Sequence, residues 1–80
     1  MSVRIVFLGP LRDLAGEDSR ELAGPLDWDG LLAAVGPQIA GRLQNERVHI
    51  ACGGKVLSDK TLLTAQDGEE IALLPPVSGG

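Results

Sequence analysis

The sequence predicts an α+β fold, a small mixed sheet of about five strands packed on one main helix. Three observations predict it. Trp28, Leu31, Leu32 and Val35 fall at i, i+3, i+4 and i+7, which makes one apolar helical stripe. The runs Val3–Leu8, Val48–Cys52 and Glu69–Leu74 are apolar or alternating and rich in β-formers. The pairs Gly53-Gly54 and Asp67-Gly68 are turn signals lying before or between strand-like runs.

Taken in order, Val3-Arg4-Ile5-Val6-Phe7-Leu8 reads as a buried first strand, ended by Gly9-Pro10. Leu11, Leu14 and Ala15 then share a helical face. Pro10 suits a first helical position and Gly16 a helix exit, so one short turn is expected there. Ser19–Leu22 is polar and is placed as a weak edge strand. Asp27 is a good N-cap for the main helix, and Leu26 can staple against Leu31 across it. Gly36-Pro37 stops that helix, and Gln38–Gln44 reads as a further short turn with Ile39 and Leu43 inward. Val48–Cys52 and Lys55–Leu57 form a hairpin about Gly53-Gly54, and Glu69–Leu74 is the last strand. Residues 1–74 are thus the folded body and 75–80 a tail.

Size and composition narrow the function. Eighty residues leave no room for separate substrate and cofactor domains. Leu, Ile and Val supply 23 of the 80, while Phe7 and Trp28 are the only aromatics. The net charge of −4 argues against nucleic acid, which needs a basic patch, and against an anionic membrane surface. It suits a protein partner with a basic docking face. A single cysteine, Cys52, makes neither an internal disulfide nor a Cys-rich zinc site. The run Val3–Leu8 is too short for a signal peptide or a membrane span, so a cytoplasmic setting is expected. No Walker A or Gly-x-Gly-x-x-Gly motif is present, and no metal site is expected.

The ending carries the chemistry. Pro75-Pro76-Val77-Ser78-Gly79-Gly80 follows the last strand directly. Proline cannot donate to a ladder, so pairing should stop at Pro75, and two prolines favour an extended path. Six such residues reach on the order of 20 Å. Glycine has no Cβ, so the tip can pass a narrow channel and its carbonyl is open to attack. A terminal carboxylate is a poor electrophile until activated, for example as an acyl-adenylate, and the ATP site must then lie on a partner. The alternative is a frayed terminus of small residues.

Two segments carry a resemblance. Phe7-Leu8-Gly9-Pro10-Leu11-Arg12-Asp13-Leu14-Ala15-Gly16 and Asp67-Gly68-Glu69-Glu70-Ile71-Ala72-Leu73-Leu74-Pro75-Pro76-Val77-Ser78-Gly79-Gly80 resemble the MoaD-type small subunits of molybdopterin synthase, in the ThiS/MoaD sulfur-carrier family. The resemblance implies a ubiquitin-like β-grasp fold and a non-catalytic carrier with no bound cofactor. A ubiquitin-activating-enzyme-like adenylyltransferase would adenylate Gly80 with ATP-Mg, and a sulfur donor system would convert it to a thiocarboxylate. The tail, with Gly79, Ser78, Val77, Pro76 and Pro75, would enter the large subunit of molybdopterin synthase, in a heterotetramer with this chain at the two ends. There the sulfur would pass to cyclic pyranopterin monophosphate, building molybdopterin. Leu73 and Leu74 stand where the family often has aromatics, and Gly53-Gly54 replaces an asparagine-containing turn.

Partner docking is expected from Leu74 and Leu57 as an apolar patch near the tail, from Arg12 on its turn, and from Phe7. Each also has a plain reading: Arg12 solvated or paired, Phe7, Leu74 and Leu57 in the core. Trp28 is expected in the core and Cys52 as a small buried hydrophobe beside Val48 and Ile50. His49 has no catalytic partner, Lys55 and Lys60 are expected to be solvated, and Asp67, Glu69 and Glu70 form an acidic strand end. Competing functions are a covalent modifier joined through Gly80 to lysines, a sulfur carrier for thiamin or an amino-acid pathway, and an interaction module with an incidental tail.

Overall fold

The computed structural model describes residues 2–76. Its first strand, β1 (Val3–Phe7), buries Val3, Ile5 and Phe7 on one face. The short helix α1 (Pro10–Ala15) starts with Pro10 in its first turn and ends at Gly16 in the left-handed conformation. The strand β2 (Ser19–Leu22) returns antiparallel to β1. A two-residue strand, β3 (Leu26–Asp27), leads into α2 (Trp28–Val35). Asp27 caps α2 as expected, its Oδ1 accepting from the Gly30 N–H at 2.8 Å.

The helix α3 (Pro37–Leu43) follows and buries Ile39, Ala40 and Leu43. It covers the Gln38–Gln44 stretch expected to be helical, shifted one residue earlier, and is nearly as long as α2. Then come β4 (His49–Cys52), β5 (Lys55–Val56), a 3₁₀ turn (Lys60–Leu62), β6 (Thr64–Ala65) and β7 (Glu70–Leu74). Gly53 and Gly54 both take positive φ, 60° and 87°, as the two-residue hairpin turn between β4 and β5 requires.

The main sheet has the order β2-β1-β7-β4-β5. The central pair, β1 and β7, is parallel, with Ile5 opposite Ile71 and Phe7 opposite Leu73. The other pairs are antiparallel. A second, two-stranded sheet joins β3 to β6, with Leu26 opposite Ala65. One face of the main sheet contributes Val3, Ile5, Phe7, Ile50, Ile71 and Leu73 to the core. The helices close it with Leu11, Leu31, Val35, Ile39 and Leu43. Leu31 and Val35 are buried; Trp28 and Leu32 lie half-buried at its margin, so Trp28 is less central than expected.

Two polar links fasten the periphery. Arg20 on edge strand β2 donates from Nη1 to the Ala34 carbonyl near the C-terminus of α2, at 2.8 Å, and pairs with Glu17 at 3.0 Å. Its guanidinium also lies 5.4 Å from the Phe7 ring centroid. A cation at a helix C-terminus is favourably placed. The Asp67 carboxylate accepts from the Gly24 N–H at 2.9 Å and so ties the turn before β7 to the segment after β2. A Cβ on Gly24 would stand 2.5 Å from Asp67 Oδ1 and 2.7 Å from Val3 Cγ2. We therefore expect Gly24→Ala to lose about 2 kcal/mol through overpacking and the broken link. Urea denaturation checks this.

Candidate functional site

The sheet has a second face, opposite the core, and it is not uniform. Alternation along β1 sends Arg4 and Val6 to it while Ile5 and Phe7 point inward. The register then aligns Val6 with Ala72, Ala72 with Ala51, and Ala51 with Val56. This is an apolar row across four neighbouring strands. Val56, at its end, is 60% exposed. The next row along β7 holds Leu74, half-buried, opposite His49. In the other direction the face turns charged, with Arg4 between Glu21 and Glu70. Arg4 Nη2 and Glu21 Oε1 are 3.1 Å apart.

The apolar half is the one nearer the tail. The last strand ends at Leu74, and Pro75 and Pro76 stand outside any ladder, Pro75 half-buried and Pro76 exposed. The tail stem therefore leaves from the centre of the sheet, because β7 lies between β1 and β4. Gly80, Gly79, Ser78 and Val77 lie outside the described residues.

The docking residues expected from sequence do not come together. Leu74 lies on the open face. Leu57 does not join it: its N–H donates to the Ile50 carbonyl at 2.8 Å, and its side chain packs against the core. Phe7 is 2% exposed, so it has no surface to offer a partner, and its docking role gives way to a core role. Alternation decides this, since Phe7 falls in step with Val3 and Ile5. Arg12 is exposed on α1, with its Nε 3.7 Å from Asp18 Oδ1. With Asp13, Gly16, Glu17 and Asp18 it lines a shallow, open depression of about 440 Å³. Val6, Ala51, Ala72 and Val56 were not singled out from sequence. Val6 is hidden inside an apolar run, and the others align only once strand register is known.

Three other titratable groups have local structural partners or surroundings. Lys60 is not solvated as expected: its Nζ donates to the carbonyls of Asn45 and Val48. Burial lowers its pKa, partly offset by Glu46. Cys52 is half-buried against the core, and desolvation, helped by Glu69, raises its thiol pKa. The thiol is thus held protonated rather than primed as a nucleophile. Asp59 has a lowered pKa because it accepts from the Thr61 hydroxyl and N–H at the start of the 3₁₀ turn. Among the described residues no cluster of three or more His, Cys, Asp or Glu is placed to hold a metal ion. No described helix is long and apolar enough to cross a membrane.

The ThiS family model matches residues 5–80, which takes in the sheet, the helices and the tail to its last glycine. The chain belongs to the ThiS family. Solved structures agree with this family assignment. Subunit 1 of the molybdopterin-converting factor from Helicobacter pylori 26695, solved as a protein–protein complex of subunits 1 and 2, is matched at 26% identity, a TM-score of 0.66 and full coverage of both chains. SAMP1 from Haloferax volcanii is matched at 25% identity and a TM-score of 0.70, again over all of both chains. The small archaeal modifier protein 1 (SAMP1) from Methanosarcina acetivorans is matched at 26% identity and 0.70, over 99% of this chain and 96% of that one. No curated protein gives a significant sequence match. This ThiS-family chain has the ubiquitin-like β-grasp fold, with the mixed five-stranded sheet expected from its sequence. Its family resemblance to MoaD-type carriers is likewise upheld. Sulfur carrier or protein modifier is the functional class it falls into.

Proposed function

We propose that this ThiS-family chain is a sulfur carrier, the small subunit of a molybdopterin synthase, and that Gly80 is its reactive residue. The observation that carries the reading is the likeness to the Helicobacter pylori subunit over the full length of both chains, since that protein is solved with its subunit 2. The open apolar half of the sheet, beside the tail stem, is the surface on which we place the large subunit. Isolated apolar residues are ordinary on a surface, whereas a contiguous row beside a reactive end suits an interface.

The chemistry follows from the terminal glycine. A partner adenylyltransferase would join the Gly80 carboxylate to the α-phosphorus of ATP and release pyrophosphate. A sulfur nucleophile from a donor system would attack the acyl carbon, form the C–S bond and expel AMP. The resulting thiocarboxylate is a soft nucleophile made without a cysteine of this chain. Delivered to the large subunit, it would give its sulfur to cyclic pyranopterin monophosphate, and water would restore the carboxylate. This chain would bind and present the end, and the ATP-Mg would belong to the activating partner. We place these steps in the cytoplasm, and the working assembly as a heterotetramer with the large subunit.

Intact mass of the chain recovered with its activating system tests this. One oxygen replaced by sulfur at the C-terminus is expected, followed by co-purification with the large subunit and conversion of precursor. Carboxylate alone under active sulfuration would overturn the reading. The likeness to SAMP1 favours a second one, a modifier joined through Gly80 to lysines of other proteins. Gly-Gly remnants on those lysines would select it.

A further inference from the structure

The central strands β1 and β7 run side by side as far as Phe7 opposite Leu73. Beyond that pair they part. The chain after β1 turns into α1, and the chain after β7 enters the two prolines. The residue at the first departure is Gly9, with φ 56° and ψ −133°. An L side chain is strained there. A Cβ built on Gly9 would also stand 3.3 Å from Pro75 Cγ. The proline ring therefore rests close against the bare Cα of Gly9.

Neither side of this contact is free to drift. The Gly9 carbonyl accepts from the Arg12 N–H at 3.1 Å, and the Leu8 carbonyl from the Leu11 N–H at 3.2 Å. These bonds close the first turn of α1, and Leu11 is buried in the core. On the tail side, Leu74 is held in β7 and precedes a proline, which keeps it extended. The ring fixes φ of Pro75, and because Pro76 follows, ψ of Pro75 is restricted as well.

We infer that Gly9 and Pro75 form a seat that fixes the direction in which the tail leaves the body, and that both are positioning residues for the chemistry at the tail tip. Their effect on that chemistry rests on the carrier reading above, whereas the seat itself does not. A stem already pointing one way is ordered before a partner engages it, so binding has less freedom to remove. Losing the seat raises the KM for the carrier and leaves the chemical step alone.

Carrier-dependent ATP–pyrophosphate exchange on the purified adenylyltransferase, read against the melting temperature of the carrier, tests this. Pro75→Ala removes the ring and leaves every residue of the described core unchanged. It should keep the wild-type melting temperature and kcat and raise KM about tenfold. Gly9→Ala adds both strain and the clash. A synthetic chain with D-alanine at position 9 separates the two. The mirror image of Gly9's angles, (−56°, 133°), is open to any L residue, so D-alanine takes them without backbone strain and carries its methyl on the other Cα position, not the one 3.3 Å from Pro75 Cγ. That chain should match wild type in KM and stability, while Gly9→Ala should not. A wild-type KM for Pro75→Ala overturns the positioning role. A wild-type chain that supports no exchange overturns the carrier reading instead, and the free protein then decides the seat. Residual dipolar couplings at Pro76 should follow the alignment of the body in wild type and average toward zero in Pro75→Ala; averaging already in wild type overturns the seat.

Discussion

Deleting Gly80 alone is expected to abolish sulfur loading while leaving the melting temperature of the protein unchanged. The described body explains the second half. Among the described residues the core runs from Val3 to Leu73, and the last ladder pair is at Leu74. The first half follows from reach. The shortened chain still ends in a glycine carboxylate, so its intrinsic chemistry is conserved, but its tip sits one residue, roughly 3.3 Å, short. Reacting atoms must approach to about 3–3.5 Å, and a displacement of ~1 Å can cost a hundredfold. The loss should therefore exceed ~100-fold. Mass spectrometry after sulfuration and calorimetry on the same sample read both halves. Undiminished loading would show that Gly80 is incidental.

Placing a charge on the open sheet face should be the next most damaging change. Val56→Asp puts a carboxylate at the end of the row formed by Val6, Ala72 and Ala51. Val56 is 60% exposed, so the fold has little to lose. An interface closing over that row would have to desolvate the carboxylate without a partner. We expect affinity for the large subunit to fall ~30-fold, the scale of an interface hot spot. Leu62→Asp is the matching control. Leu62 is 75% exposed and belongs to the 3₁₀ turn, which packs toward α2 rather than the sheet face. It should bind as wild type in isothermal titration. Equal losses in both variants would mean that added charge, not the face, is responsible.

The contrast between these two leucine- and valine-type positions shows what could be read from the chain and what could not. Elements set by neighbours were legible. Asp27 as a cap, Pro10 at a helix start, Gly53-Gly54 as a turn and Ser19–Leu22 as an edge strand all lie where local chemistry places them. The strands β3 and β6 were not legible. Each is two residues long, and Leu26 meets Ala65 only because the whole fold brings them together. The helix α3 was legible to within one residue of the Gln38–Gln44 stretch, with Ile39 and Leu43 inward, because Gly36-Pro37 marks its start. The site divides in the same way. The tail stem announces itself by its prolines, but the row beside it depends on register across strands far apart in sequence. Leu57 shows the cost of lacking it, since an apolar residue near a hairpin can face either way. Lys60 and Asp67 read as surface charges because a hydrogen bond to a distant backbone group leaves no local trace.

The position of β7 has a mechanical consequence. The end proposed to react follows, in sequence, a strand bonded on both flanks, parallel to β1 and antiparallel to β4. A partner that grips the sheet and draws on the tail pulls along the axis of β7. Ladder hydrogen bonds lie across that axis, so the pull shears both rows together instead of opening them singly. An eighty-residue domain with a small core can thus be tugged by its tip and keep its shape.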